Sequence, residues 1–488
     1  MSDTTATSAS ALSIPGLTRD EQAVVTKLFT QLQAKTRRNL LRSSYYDGKR
    51  AVRALSPVVP PIYYKLGVVL GWSAKAIDAL AQRCALETFD WPDGDIASLG
   101  LQQLSEANQL RATVKGGQVN SLLHGVSFVV NTVGVGDEPK SLIHIKDALC
   151  ATGTWNTRAR RLTDFLSITS LDDEGNPDGV ALYLPNLVVQ CDRDLSGWSV
   201  TRSSHTWGVP VEPLGYKPWT RDFGASRLTR PLMALQDRAV HAVVRLEGHM
   251  DVYSFPEFWM LGADNKVFKN PDGSLKPDWR VMLGRIKGIP DDDTAPPELA
   301  RADVKQFPAN SPEPHLAALN SYAKLFARES GLPDSALAIT DYANPTSAEA
   351  YAESREDLIA EAEGATDDWS VPLRRAVQRG LAIQNGLTAI PDEWASMTPR
   401  YRSPLFVSRT AQADAGQKLA VAVPGLAETT VGLRKLGFTD DEIRQYQSER
   451  RRVTGRALLD TIRSTRPSVI PSGDDTNAAA QPAGPAQR

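Results

Sequence analysis

The chain has 488 residues, with hydrophobic content of 41% and charged content of 23%. That length exceeds one ordinary core and that composition excludes a disordered chain. A formal net charge of −2 disfavours tight DNA binding through phosphates, which calls for a basic excess. It leaves open a protein that lets DNA pass.

Residues 1–16 are rich in Ser, Thr and Ala and read as a disordered tail. Met1–Leu17 shows no charged-then-apolar signal. Thr18 with Glu21 forms a capping box that opens a helix, with Val24, Leu28, Leu32 and Leu40 in helical period until Gly48 ends it. A second helix follows Trp72, with Ile77, Leu80 and Ala81 toward a core. Residues 102–131 read as a helix running into the β-rich Leu122–Val130. Strands are expected near Ile143–Leu149, Leu166–Thr169, Val180–Leu184, Leu187–Gln190 and Trp198–Ser203, separated by turn signals at Asp173–Pro177 and Asp192–Ser196. This half is α+β.

A long helix is expected from Ser226 to Met250, with Pro231 near its first turn. Leu228, Leu232, Leu235, Ala239, Ala242 and Leu246 form a heptad seam along it. The seam packs either within its own domain or against a neighbouring subunit. Residues 251–312, rich in Pro, Gly and Asp, read as a small excursion with β-prone Phe258–Leu261 and Trp279–Leu283. A helix at Glu313–Ser330 carries Leu316, Leu319, Ala323 and Phe326 on one face, and Gly331-Leu332-Pro333 stops it. A loop at Asp334–Ala343 follows. Asn344-Pro345 cannot lie inside a helix, so Thr346 or Ser347 caps one that runs toward Trp369. Along it Glu349, Glu353, Asp357 and Glu361 recur at spacing four as an acidic stripe, with Tyr351, Leu358, Ile359 and Ala362 on the other side. A further helix carries Leu373, Val377 and Leu381, and residues 408–464 are again helical, with a start at Thr439–Glu442. Residues 466–488 read as a second disordered tail.

The chemistry search returns decoys. Gly134–Ser141 mimics a phosphate loop, but Pro139 replaces the glycine before Lys140, so a hairpin is the better reading. His124, His144, His205, His241, His249 and His315 form no metal-binding spacing, and Asp291-Asp292-Asp293 lacks a calcium-loop pattern. Cys84, Cys150 and Cys191 lack CxxC spacing and read as free thiols. Arg158, Arg160 and Arg161, and Arg450, Arg451, Arg452 and Arg456, read as solvated faces or subunit ion pairs ahead of nucleic-acid contacts. No apolar run reaches membrane-helix length. No cofactor, metal or catalytic group is expected.

Five segments carry a resemblance: Tyr45-Tyr46-Asp47-Gly48-Lys49, Leu122–Val130, Phe223–Leu228 with its Gly-x-Ser-x-Leu pattern, Phe326–Pro333, and Asn344–Ala350. In this order and spacing the chain resembles the portal proteins of tailed double-stranded DNA bacteriophages, particularly actinobacterial ones. The resemblance implies a ring-forming α+β portal fold. It places a tail at 1–19, wing at 20–225, first stem helix at 226–250, clip at 251–312 and second stem helix at 313–333. A tunnel loop follows at 334–345, then the tunnel helix and the rest of the wing at 346–400, a mainly helical crown at 401–465, and a tail at 466–488. It implies a homo-oligomer, usually a dodecamer, at one capsid vertex, assembled in the host cytoplasm. Double-stranded DNA passes without sequence specificity, and terminase, major capsid and scaffolding proteins and a head-tail adaptor are the other partners. Leu337, Ile339, Asp341 and Tyr342 become tunnel-loop candidates. The acidic stripe becomes either a non-adhesive channel wall or a partner for Arg374, Arg375 or Arg379 of the next subunit. The competing readings are another virion adaptor, which would be shorter, and a hydrolytic or nucleotide-using enzyme with a scattered site.

Overall fold

A computed structural model describes residues 12–49, 67–219, 221–253, 258–263, 272, 274, 286–290, 303–306, 311–337, 355–405 and 409–464. The chain divides into two units, Met1–Pro404 and Leu405–Arg488.

The first unit opens with helix α1 (Arg19–Tyr46), capped as the sequence dictates: the Thr18 side chain accepts from the Glu21 N–H, and the Glu21 carboxylate accepts from the Thr18 N–H. Its Val25, Leu28, Phe29 and Leu32 are buried, whereas Leu40 is exposed. After α2 (Trp72–Ala81) and β1 (Leu86–Asp90), α3 (Leu101–Ala107) and α4 (Leu110–His124) precede β2 (Val126–Val133). Gly125 makes the break between α4 and β2 at a φ of 102°.

β2 is the centre of a three-stranded sheet, between β3 (Ser141–Asp147) and β9 (Val211–Gly215). The Gly134–Lys140 stretch is the hairpin loop joining β2 to β3. β4 (Ala151–Asn156), β5 (Arg161–Leu171), β6 (Pro177–Leu184), β7 (Leu187–Asp194) and β8 (Gly197–Ser204) form an antiparallel five-stranded meander in chain order. One apolar cluster sits between the sheets around Phe128, Val130, Phe165 and Tyr183, and a second holds α1 on the meander through Leu28, Phe29, Leu166 and Leu182.

Helix α5 spans Arg230–Tyr253 and packs against α6 (Glu313–Ser330). The expected start at Ser226 is four residues early. Ser226 and Arg227 are engaged elsewhere: Ser226 Oγ donates to the Leu123 carbonyl at 2.6 Å, and the Arg227 N–H donates to the Leu122 carbonyl at 2.8 Å. Between these helices the backbone forms a sheet in which β10 (Phe258–Ala263) pairs parallel with β11 (Ile286–Pro290) and antiparallel with β12 (Asp303–Gln306). The strand expected at Trp279–Leu283 lies outside the described residues. α6 ends at Gly331, in the left-handed region at φ 62°, with the Leu332 N–H reaching back to the Ala327 carbonyl at 2.9 Å.

Helix α7 runs unbroken from Glu356 to Gln384. The division expected near Trp369 does not occur. Pro372 removes one backbone donor, but Leu358, Ala362, Ala365, Trp369, Leu373, Ala376, Val377 and Leu381 are all buried on this helix, and that packing holds it together. β13 (Thr398–Tyr401) closes the unit by pairing with β1.

The second unit contains α8 (Arg409–Ala422), α9 (Thr430–Lys435) and α10 (Asp440–Ser464). Thr439 and Glu442 form a capping box at the expected start of α10.

Candidate functional site

Four chain segments converge where α7 begins. The first is the β9 end: the Tyr216 N–H donates to the Gly125 carbonyl at 3.0 Å and its carbonyl accepts from the Ala225 N–H at 2.8 Å. Gly224 makes this clasp feasible. It sits at φ 80°, and a Cβ there would lie 2.3 Å from the Tyr216 carbonyl oxygen. The clasp delivers Arg227 into the interior with a side-chain exposure of 4%. Its Nε donates to the Ala76 carbonyl at 3.0 Å, one Nη to the Ser330 carbonyl at the end of α6, and the other to the Glu361 carboxylate on α7.

Glu361 collects further donors. Lys217 Nζ lies 3.1 Å from its Oε1, and the Tyr216 hydroxyl donates to the same oxygen. Burial pushes the carboxyl up, but Arg227, Tyr216 and Lys217 outweigh it and hold the pKa below the ordinary carboxylate value. Burial and the Glu361 charge raise the Tyr216 hydroxyl in turn. About two helical turns further on, Asp368 accepts from the Lys217 N–H at 3.2 Å. Burial, countered by that hydrogen bond and reinforced by Asp367, pushes Asp368 up to about 6. A cleft of about 530 Å³ opens beside the junction, bordered by Lys217, Trp219, Glu329, Asp357, Glu361 and Asp368.

The same helix is anchored twice more. Trp369 is fully buried and its Nε1 donates to Ser121 Oγ at 3.2 Å. Arg379, 7% exposed, donates to Glu212 Oε1 at 2.6 Å and to Asn131 Oδ1 at 3.1 Å, while Asn131 donates to the Ala376 carbonyl at 2.9 Å. Removing one member of such a buried pair is costly because the other is left charged without a partner.

This geometry revises the acidic stripe. Glu361 is spent on Arg227 and Lys217 of its own chain, because α7 turns that position toward the Arg227 pocket. Asp357 is exposed, and Glu349 and Glu353 lie outside the described residues. The basic residues considered as stripe partners are also engaged internally: Arg379 and Arg375 face Glu212, and Arg374 donates to the Ala395 carbonyl. Of the tunnel-loop candidates, Leu337 follows a short 3-10 turn and packs against the main core; Ile339, Asp341 and Tyr342 lie outside the described residues. In the heptad seam, Leu232, Ala239 and Ala242 are buried within the single chain, Leu235 and Leu246 are half-buried, and Leu228 is buried in the segment before the helix.

Arg227, Tyr216, Lys217, Asp368, Glu212 and Arg379 were not singled out by sequence as junction residues. Arg227 had a legible signal, as the one charged residue inside Gly224-Ala225-Ser226-Arg227-Leu228. Among the described residues no cluster of His, Cys, Asp or Glu is arranged to hold a metal. Burial raises the Cys84 and Cys150 thiols to about 12 and Cys191 to about 11. No helix among the described residues is long and apolar enough to cross a membrane.

The family model described as "Phage portal protein, SPP1 Gp6-like" matches residues 26–456. The chain belongs to this portal family. The match spans all the segments that meet at the junction. The portal protein of Mycobacterium phage D29 is 26% identical over 468 residues, covering 93% of each chain. That of Mycobacterium phage L5 is 24% identical over 478 residues, covering 95% of this chain and 96% of its own. Among solved structures, a chain from the neck of a native gene transfer agent particle is 15% identical, covering 81% of this chain and 99% of its own with a TM-score of 0.38.

Proposed function

We propose that copies of this chain close into a ring, of twelve subunits in the capsid, at one vertex of a tailed-phage head. Double-stranded DNA is packaged and ejected through the central channel. The ring is a structural conduit and not an enzyme, and it serves as the docking platform for terminase and then for head-tail connector proteins, amid the major capsid and scaffolding proteins. It assembles in the host cytoplasm and remains at the portal vertex of the virion. The observation that carries this reading is the portal-family match along nearly the whole folded chain.

The near-neutral charge of −2 supports passage of DNA over capture of it. Within this reading the paired helices α5 and α6 form the stem, the β10–β12 sheet belongs to the clip, and the second unit is the crown. Leu235 and Leu246, half-buried in the single chain, are the seam positions offered to a neighbour. Leu337, Ile339, Asp341 and Tyr342 border the tunnel. Asp357, with Glu349 and Glu353, supplies negative charge toward the DNA. The buried Arg227–Glu361 pair fixes the helix that carries them to the stem end.

The test is a nonsense mutation in the gene for this chain in its phage. Heads without packaged DNA, rescued by the wild-type chain in trans, are the expected outcome. Normally filled heads in its absence would refute the proposal.

A further inference from the structure

Lys35, Arg38 and Arg42 lie at spacings of three and four on α1, and so share one side of it. Arg221, from the loop after β9, acts on Arg42. Among the described residues none of these four forms an ion pair. Lys35 Nζ stands 5.7 Å from the centroid of the Phe223 ring, and Asp222 is the carboxylate that acts on it. Arg42 donates only a long bond, 3.4 Å, to the His124 carbonyl, and its Nε is buried without a hydrogen-bond partner. Burial, then Arg38 and Arg221, bring its pKa down to about 10. A half-buried guanidinium beside two like charges is a standing cost that an anion from outside would remove.

A surface of opposite sign lies on the five-stranded meander. The register pairs Leu171 with Pro177 and Gly179 with Asp192, which places the β5–β6 and β7–β8 turns at one end of the sheet. That end carries Asp172, Asp173, Glu174, Asp178, Asp192 and Asp194, with Arg193 among them. Asp172 and Asp194 cap their own turns. None of the six carboxylates forms an ion pair among the described residues, and Asp178 Oδ1 is buried without a hydrogen-bond partner.

We propose that these two surfaces meet across each subunit boundary: the acidic tip of one copy docks on Lys35, Arg38, Arg42 and Arg221 of the next. The inference rests on the ring reading. Two unlike, complementary patches on one chain make a head-to-tail contact, the kind that closes a ring. Complementary charge fixes register and rejects wrong partners. Capture of DNA phosphates by the cluster is the competing use, and it leaves the acidic tip without a counterpart.

The test is native mass spectrometry of the purified full chain at low salt, in four forms: wild type, Arg38→Glu with Arg221→Glu, Asp173→Lys with Glu174→Lys, and all four changes together. Each single-face variant should keep the wild-type circular dichroism spectrum while ring yield falls about tenfold, and the four-fold swap should restore rings. Wild-type rings should also loosen as salt rises. The proposal is overturned if both single-face variants assemble normally, or if both fail while folded and the swap does not rescue them. It is also overturned if Arg38→Glu with Arg221→Glu assembles normally but loses affinity for double-stranded DNA. A wild-type chain that stays monomeric would overturn the ring reading itself, and this contact with it.

Discussion

Replacing Glu361 by Gln probes the junction most directly. Arg227 has a side-chain exposure of 4% and Glu361 of 19%, so their pair sits largely outside the screening of water. The substitution leaves the guanidinium with the Ala76 and Ser330 carbonyls but without a counter-charge. Breaking one side of a buried pair costs about 3–5 kcal/mol, and Gln retains an acceptor, so about 3 kcal/mol is expected. For a unit ending at Pro404 the unfolding entropy is about 0.8 kcal/mol/K, so Tm should fall by about 4 °C. The assay is differential scanning calorimetry at matched protein concentration, because ring formation raises apparent stability.

The pH dependence has a defined sign. Glu361 has a folded pKa below its ordinary 4.5. Its contribution is complete above that value and is lost as pH falls through the lower folded value. The gap between wild type and Glu361→Gln should therefore be constant near neutrality and close only below pH 4.5. Replacing both partners with apolar residues, Arg227→Met with Glu361→Leu, should recover much of the loss. A Glu361→Gln protein melting within about 1 °C of wild type, or a double variant as damaged as the sum of the singles, refutes the reasoning.

Asp368→Asn should act in the opposite direction: the folded pKa of about 6 lies above the ordinary 3.8, so the charge opposes folding above pH 6. The Asn variant should melt higher near pH 8 in thermal scans, with an advantage that fades between pH 6 and 3.8; an advantage that persists under acid contradicts this. Gly224→Ala should destabilise by at least about 2 kcal/mol in denaturant titrations, from the left-handed backbone together with the clash at the Tyr216 carbonyl. A neutral result would mean that the clasp yields. Glu353→Lys with Asp357→Lys should leave rings intact in electron micrographs but slow or stall DNA packaging; normal packaging would remove the channel-wall role from these positions.

Local signals carried much of the fold. The Thr18–Glu21 box, the Gly331 stop and the Thr439–Glu442 box each mark a helix end by short-range chemistry, and all three ends lie within two residues of the expected positions. The failures are long-range. β1 and β13 pair across more than 300 residues, and neither is apolar or alternating enough to stand out alone. β9 contains Glu212 and Pro213, which argue against a strand until it is seen as a sheet edge whose glutamate meets Arg379. The separate helix expected after Trp369 is instead the continuation of α7, because burial of Trp369 carries the helix through. The acidic stripe follows from periodicity, but spacing cannot say that Arg227, 134 residues away, claims Glu361.

The central claim is closure of many copies around one axis. Electron microscopy of the purified full-length chain, classified by end-on views, tests it most directly. Annular particles with rotational symmetry and a central opening wide enough for double-stranded DNA are the predicted result. A population of monomers or dimers with no opening, at concentrations where the chain is folded, would contradict it.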